Sequence, residues 1–196
     1  AHQKEVEQLA FSSKIPIRPE YVMAEINHQL NPGTIVVADA SYASIWVANY
    51  LRSRRAGMRF LTPRGLAGIG WGLPMAIGAK VAEPETPVIC IAGDGGFGHS
   101  WAEMEAARRM NLDLTLVVLN NSILGYQKHA EDVKFGNHTD AVDMGVVDHA
   151  KISEACGCKG IRVQTPDQIS PALRKAMQEK GLVLIDILID PEAHPP

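Results

Sequence analysis

The 196-residue sequence has little of several things, and each scarcity closes off a class of protein. Its 3 cysteines are Cys90, Cys156 and Cys158. So sparse and odd a set builds no disulfide framework, and a bare C-x-C lacks the second ligand pair of a zinc site, so the usage fits a reducing compartment. No apolar run in the sequence approaches the roughly 18–20 residues that cross a bilayer, which excludes a membrane-spanning segment. Charge of one sign is scarce too. A formal net charge of −3 and a pI near 6.2 give no reason to expect nucleic acid as a partner. The first residues, Ala1-His2-Gln3-Lys4-Glu5, lack an initiator Met, an apolar core and a basic lead. No secretory signal is therefore read there, the expected location is the cytoplasm, and the start reads as that of a fragment of a longer chain.

What is present is ordinary for a globular protein. Hydrophobic residues make up 46% and charged residues 21%, which excludes a disordered chain. The length is that of one domain, so residues 1–196 are read as a single unit. Short β-branched runs alternate with longer amphipathic ones. Expected strands are Thr34–Ala38, Val88–Ala92, Leu114–Leu119, Gly160–Val163 and Leu182–Ile189. Expected helices are Glu20–Leu30, Ser44–Leu51, Gly72–Val81, Ser100–Met110, His149–Cys156 and Asp167–Glu179. Pro19 marks one helix start, and Thr165-Pro166-Asp167-Gln168 reads as a capping box at another. This alternation predicts an α/β fold, an open parallel sheet with helices on both faces. Such sheets bind ligands beyond the carboxyl ends of their strands, here just after Ala38, Ala92 and Leu119. The stretch 132–147 shows neither helical nor strand periodicity and reads as a surface excursion or a mobile lid.

After the strand Val88–Ala92 comes Gly93-Asp94-Gly95-Gly96-Phe97-Gly98. As a bare pattern this satisfies the dinucleotide fingerprint G-x-G-x-x-G. An ionised Asp94 in that turn would repel a pyrophosphate unless a divalent cation lay between them. The acid that a dinucleotide ribose requires is also misplaced, because Asp113 precedes its strand instead of ending it. That next strand ends in Asn120-Asn121. An Asp and an Asn at neighbouring strand ends are oxygen ligands of the kind Mg2+ takes, which favours a metal-bridged diphosphate.

Gly93-Asp94-Gly95 followed after 24 residues by Asn120-Asn121 resembles the cofactor motif of thiamine diphosphate (ThDP)-dependent enzymes. Within that family the chain is most similar to the acetolactate synthase (acetohydroxyacid synthase) group. The supporting segments are Gly65–Pro74, Asn120–Gly125 and Ile185–Glu192. The resemblance implies the ThDP-binding fold and the C-terminal diphosphate-binding domain of a longer, three-domain enzyme. It further implies that Asp94, the Asn121 side chain and the Ile123 carbonyl hold Mg2+, while Gly93, Gly95 and Gly96 bring amides to the diphosphate. Ile69 would prop the cofactor in its bent shape, and the Ala67 carbonyl would accept from the aminopyrimidine; the family usually has Gly at that position. Judged without the resemblance, Ile69 is equally a core residue.

Two segments depart from the group. Acetolactate synthases usually have Gln and His where this chain has Tyr42 and Ala43, so hydroxyls of Ser41, Tyr42 or Ser44, or backbone amides, would have to serve the diphosphate instead. Tyr126 and Gln127 replace an apolar wall, and Gln127 is the candidate nearest substrate. His129 and His138 flank the candidate lid and are further candidates for substrate contact.

The implied activity is decarboxylation of a 2-keto acid such as pyruvate, with the acyl carbanion passed to a second carbonyl. A simple 2-keto-acid decarboxylase is an alternative within the family. A dinucleotide-binding Rossmann module and a non-catalytic interaction domain are alternatives outside it. The activating Glu of the family lies on a pyrimidine-binding domain, and nothing in this sequence resembles one. The chain alone is therefore expected to be inactive, and to work in a homo-oligomer (dimer or tetramer) with that domain supplied by the same or a partner chain.

Overall fold

In the computed structural model, which describes residues 14–196, the apolar runs form one six-stranded, wholly parallel sheet. The strands are β1 (Ile35–Ala38), β2 (Phe60–Leu61), β3 (Val88–Gly93), β4 (Leu114–Asn120), β5 (Lys159–Val163) and β6 (Leu182–Leu188), in the spatial order β2-β1-β3-β4-β6-β5. Residues of β1, β3, β4 and β6 are buried almost throughout, as strands covered on both faces must be. The central strands were legible for that reason. β2 was not, because two residues at a sheet edge carry no pattern.

The helices are α1 (Pro19–Gln29), α2 (Tyr42–Tyr50), α3 (Gly72–Ala82), α4 (Asp94–Gly98), α5 (Met104–Arg109), α6 (Gly125–Phe135), α7 (His149–Ala155) and α8 (Ile169–Gln178). They divide between two cores according to which face of the pleat each strand residue takes. Val36, Ala38, Ile89 and Ile91 pack with α1, α2 and α8, around Trp46. Ile35, Val37, Cys90 and Ala92 pack on the other face with α3, α4 and α5, around Phe97 and Met104. Cys156 and Cys158 pack against that second core. Pro19 stands at the first turn of α1, and the Thr165–Gln168 capping box is formed.

Two expectations are corrected. The helix read as Ser100–Met110 is broken: α4 begins at Asp94 itself, a 3-10 turn covers Trp101–Glu103, and α5 follows. Of the three tryptophans Trp46 is buried in the core, while Trp71 and Trp101 are 60% and 45% exposed. The excursion 132–147 is not without structure. Its first residues end α6, a 3-10 turn covers Asp140–Val142, and Ile123 bridges Asp143 in antiparallel fashion. None of the α6 residues is buried, so the helix carries no apolar stripe from which to read its period. Among the described residues no helix is long and apolar enough to cross a membrane.

Candidate functional site

A cleft of about 340 Å3 opens at the carboxyl ends of β1, β3 and β4. Of the candidates named from the sequence, Ser41, Tyr42, Ala67, Ile69, Gly93, Asp94, Gly95, Gly96, Asn121, Ile123 and Gln127 line it, while Ser44 is buried in α2 outside the lining. His129 and His138 do not line it either. His138 pairs with Asp132 at 2.8 Å, and the His129 ring stacks on His194 with centroids 5.1 Å apart.

Asp94 is buried at the end of β3, where it opens α4. Its Oδ1 accepts the Gly95 amide at 2.9 Å and its Oδ2 the Ser122 amide at 2.7 Å, so one carboxylate ties the β3 end to the β4 end. Burial pushes this carboxyl up to about 6, against backbone amides that favour its charged form. Across the gap, Asn121 Oδ1 accepts the Ile123 amide at 3.3 Å, and the Ile123 carbonyl accepts from Gly125 at 2.9 Å.

The wall opposite is built on Asp39, a residue to which sequence reasoning assigned no role. It is buried just past β1, and its Oδ1 accepts the amides of Ala40 (2.9 Å), Trp71 (3.1 Å) and Gly72 (3.1 Å). Its Oδ2 accepts the Gly70 amide at 2.9 Å. Asp39 thus caps α3 from 33 residues upstream and holds the loop carrying Ala67 and Ile69 against the sheet. A local capping pattern would not reveal it, since the cap is distant in sequence.

Backbone strain concentrates here. Ser41, Ala67 and Ser122 have φ of 63°, 55° and 55°, in the left-handed region that non-glycine residues seldom occupy. Two of them line the cleft and the third donates its amide to Asp94. Tyr42 also lines the cleft, its ring edge-on to Tyr126 at 5.9 Å, and its buried hydroxyl has no hydrogen-bond partner among the described residues. Burial raises the Tyr42 phenol above its ordinary range, so it stays a neutral donor. Gln127 reaches the cleft from α6 while its amide donates to Glu131 at 2.8 Å. Arg64, exposed on the rim, is the only cationic side chain among the described residues of the lining.

Residues 39–187 match the family model described as thiamine pyrophosphate enzyme, C-terminal TPP binding domain. The chain belongs to that family. The match runs from Asp39, directly after β1, into β6 and so takes in the ends of β3 and β4 at the cleft of this TPP-binding domain. Among curated relatives, the acetolactate synthase of Bacillus subtilis is 33% identical over 172 residues, 88% of this chain and 30% of that protein. The acetolactate synthase large subunit of Buchnera aphidicola is 31% identical over 197 residues, covering 97% of this chain and 34% of its own. The sulfoacetaldehyde acetyltransferase of Rhodobacter capsulatus is 33% identical over 183 residues, 91% of this chain and 31% of its own. The chain thus spans about a third of the length of the relatives it matches. Membership of a TPP-binding family sets the dinucleotide alternative aside.

Proposed function

We propose that this chain is the diphosphate-binding domain of a larger ThDP- and Mg2+-dependent enzyme resembling acetolactate synthase. That enzyme would decarboxylate a 2-keto acid such as pyruvate and transfer the acyl unit to a second carbonyl. The observation that carries this reading is the meeting of Asp94, Asn121 and Ile123, from two adjacent strand ends, in one cleft faced by Ala67 and Ile69.

The residues fit the group. A carboxylate, a side-chain amide oxygen and a backbone carbonyl form the all-oxygen donor set that Mg2+ takes, with phosphate oxygens and water to complete it. A cation there would hold Asp94 ionised against the burial that now disfavours its charge. Gly95 and Gly96 line the cleft at the α4 start, where their backbone would face a bound diphosphate. The unpartnered Tyr42 hydroxyl supplies a donor where the related enzymes use other side chains.

Bound ThDP supplies the electron sink for decarboxylation and acyl transfer. This chain's residues would hold its diphosphate through Asp94, Asn121 and Ile123. Ile69 and the Ala67 carbonyl would orient the rings, and the Tyr42–Tyr126 pair would exclude water from one side. Arg64 on the rim favours an anionic substrate, as a 2-keto acid is. The activating Glu would come from a pyrimidine-binding domain of the same or a partner chain, within a homo-oligomer.

Titration of the full-length protein with ThDP tests the reading. Binding is expected only with Mg2+ and is expected to be lost in Asp94→Ala. Tight metal-independent binding would sink it. Product analysis with pyruvate separates the two reactions: acetolactate marks acyl transfer to a second keto acid, and acetaldehyde marks simple decarboxylation. The 196-residue chain by itself is expected to yield neither.

A further inference from the structure

Asp186 interrupts an otherwise apolar strand, fully buried in the middle of β6. A carboxylate in that position is costly unless every lone pair has a use. Its Oδ1 accepts the Asn120 side-chain amide at 2.9 Å. Its Oδ2 accepts Arg162 Nη1 at 2.8 Å and the His149 backbone amide at 3.1 Å. The same Asn120 amide donates to the Val147 carbonyl at 3.0 Å, and Arg162 Nη1 reaches that carbonyl at 3.2 Å. Arg162 also lies 3.4 Å from Asp148.

Apart from Arg162 of β5, these partners are the two ends of one excursion. The chain leaves the sheet at Asn120 and returns against Asp186 at 147–149, where α7 begins, and between those points it carries Asn121, Ile123, Tyr126 and Gln127 into the cleft. Inside the excursion the outgoing and returning limbs are cross-linked. Leu124 N donates to the Val142 carbonyl at 2.8 Å, and Met144 N to the Ser122 carbonyl at 2.9 Å. The returning limb therefore backs the segment that bears the metal-side oxygens, and its own fixed point is Asp186. The His149 ring, held at that point, also meets Phe97 of α4 edge-on at 5.3 Å, which joins the anchor to the Asp94 side of the cleft.

We infer that Asp186 is a positioning residue for the diphosphate site: it latches both ends of the 121–148 excursion to the sheet and so sets where Asn121 and the Ile123 carbonyl stand relative to Asp94. The inference rests on the proposed function for what is positioned, while the latch itself is a property of this chain alone. In sequence Asp186 lies 65 residues from Asn121, inside the Ile185–Glu192 segment that carries part of the family resemblance but to which no site role was given. It touches neither cofactor nor metal, and acts through Asn120, Arg162 and His149.

The test uses the full-length protein and the near-isosteric Asp186→Asn, whose amide turns a donor either toward both Arg162 and the His149 amide or toward the Asn120 amide. By hydrogen–deuterium exchange, peptides covering 121–125 and 142–149 are expected to exchange about tenfold faster, while those of β3 keep wild-type protection. In ThDP titrations the half-saturating Mg2+ concentration is expected to rise about tenfold, with binding recovered at high Mg2+, as when the outer support of a metal ligand is lost. A purely structural role would loosen the sheet as a whole without moving the Mg2+ requirement. Arg162→Gln, which leaves the Asn120 and His149 contacts in place, is expected to show the same local pattern at smaller size, and decides the matter if Asp186→Asn does not fold. Uniform loosening, or unchanged exchange at 121–125 and 142–149, overturns the latch. A wild-type protein that binds no ThDP overturns the proposed function instead, and the exchange pattern still decides the latch.

Discussion

Gly96 has no side chain where Asp39 needs the room: a Cβ built there would collide with Asp39 Oδ2, the oxygen that holds the Gly70 amide. Gly72 stands in the same relation, its would-be Cβ lying 2.8 Å from that of Asp39. The start of α4 and the start of α3 are thus pressed against one carboxylate, and the cleft forms where they part. Gly96→Ala is expected to cost roughly 1–3 kcal/mol by overpacking. Gly98→Ala, with open space around it, serves as the control. Asp39→Ala is expected to cost about 3 kcal/mol or more, since it strips the acceptor from four backbone amides, at least one of them buried. Denaturant unfolding of the three variants measures both.

Ala67, which lines the cleft, sits at φ 55°. Relieving a left-handed non-glycine residue gains roughly 1–2 kcal/mol, while the looser unfolded chain of a glycine variant gives back about 0.4–1. Ala67→Gly is therefore expected to be neutral to stabilising by about 1 kcal/mol. ThDP affinity should be retained, because the proposed contact is a carbonyl.

Arg64 distinguishes two uses of a rim cation. If it meets the substrate carboxylate, Arg64→Gln in the full-length enzyme raises KM for pyruvate about tenfold, the loss of one charge-assisted hydrogen bond. ThDP affinity then stays at the wild-type value. A matching fall in ThDP affinity would assign Arg64 to the diphosphate.

His149 predicts an acid-side loss of stability. Burial, with Arg162 adding to it, pushes the imidazole below its ordinary range despite Asp186 and Asp148. A depressed folded pKa means its contribution is intact above the unfolded value near 6.5 and drains away as pH falls through the folded one. Asp94 runs the other way in the cofactor-free protein. Its raised pKa of about 6 makes its contribution largest below the ordinary carboxylate range, and that contribution is lost as pH rises through 6. The two are separated by difference. His149→Phe, which keeps the edge-on contact with Phe97, is expected to flatten the acid-side slope below about pH 6.5 in pH-dependent unfolding.

The local pattern alone determined the parallel α/β class, because the central strands are buried on both faces and so read as unbroken apolar runs. It also determined where the cleft would open, because Gly93-Asp94-Gly95 and Asn120-Asn121 each follow such a run directly. What it could not show was anything made by contact between distant segments. α6 buries no residue and so left no periodic trace. Asp39 caps a helix 33 residues away, and Asp186 holds both ends of an excursion from the middle of a strand. Strand and helix signals are carried by neighbours in sequence, whereas a buried carboxylate chooses its partners among whichever amides the folded sheet brings within 3 Å or so. The candidate site residues were legible for the first reason, and the residues that hold them in place only became so through the second.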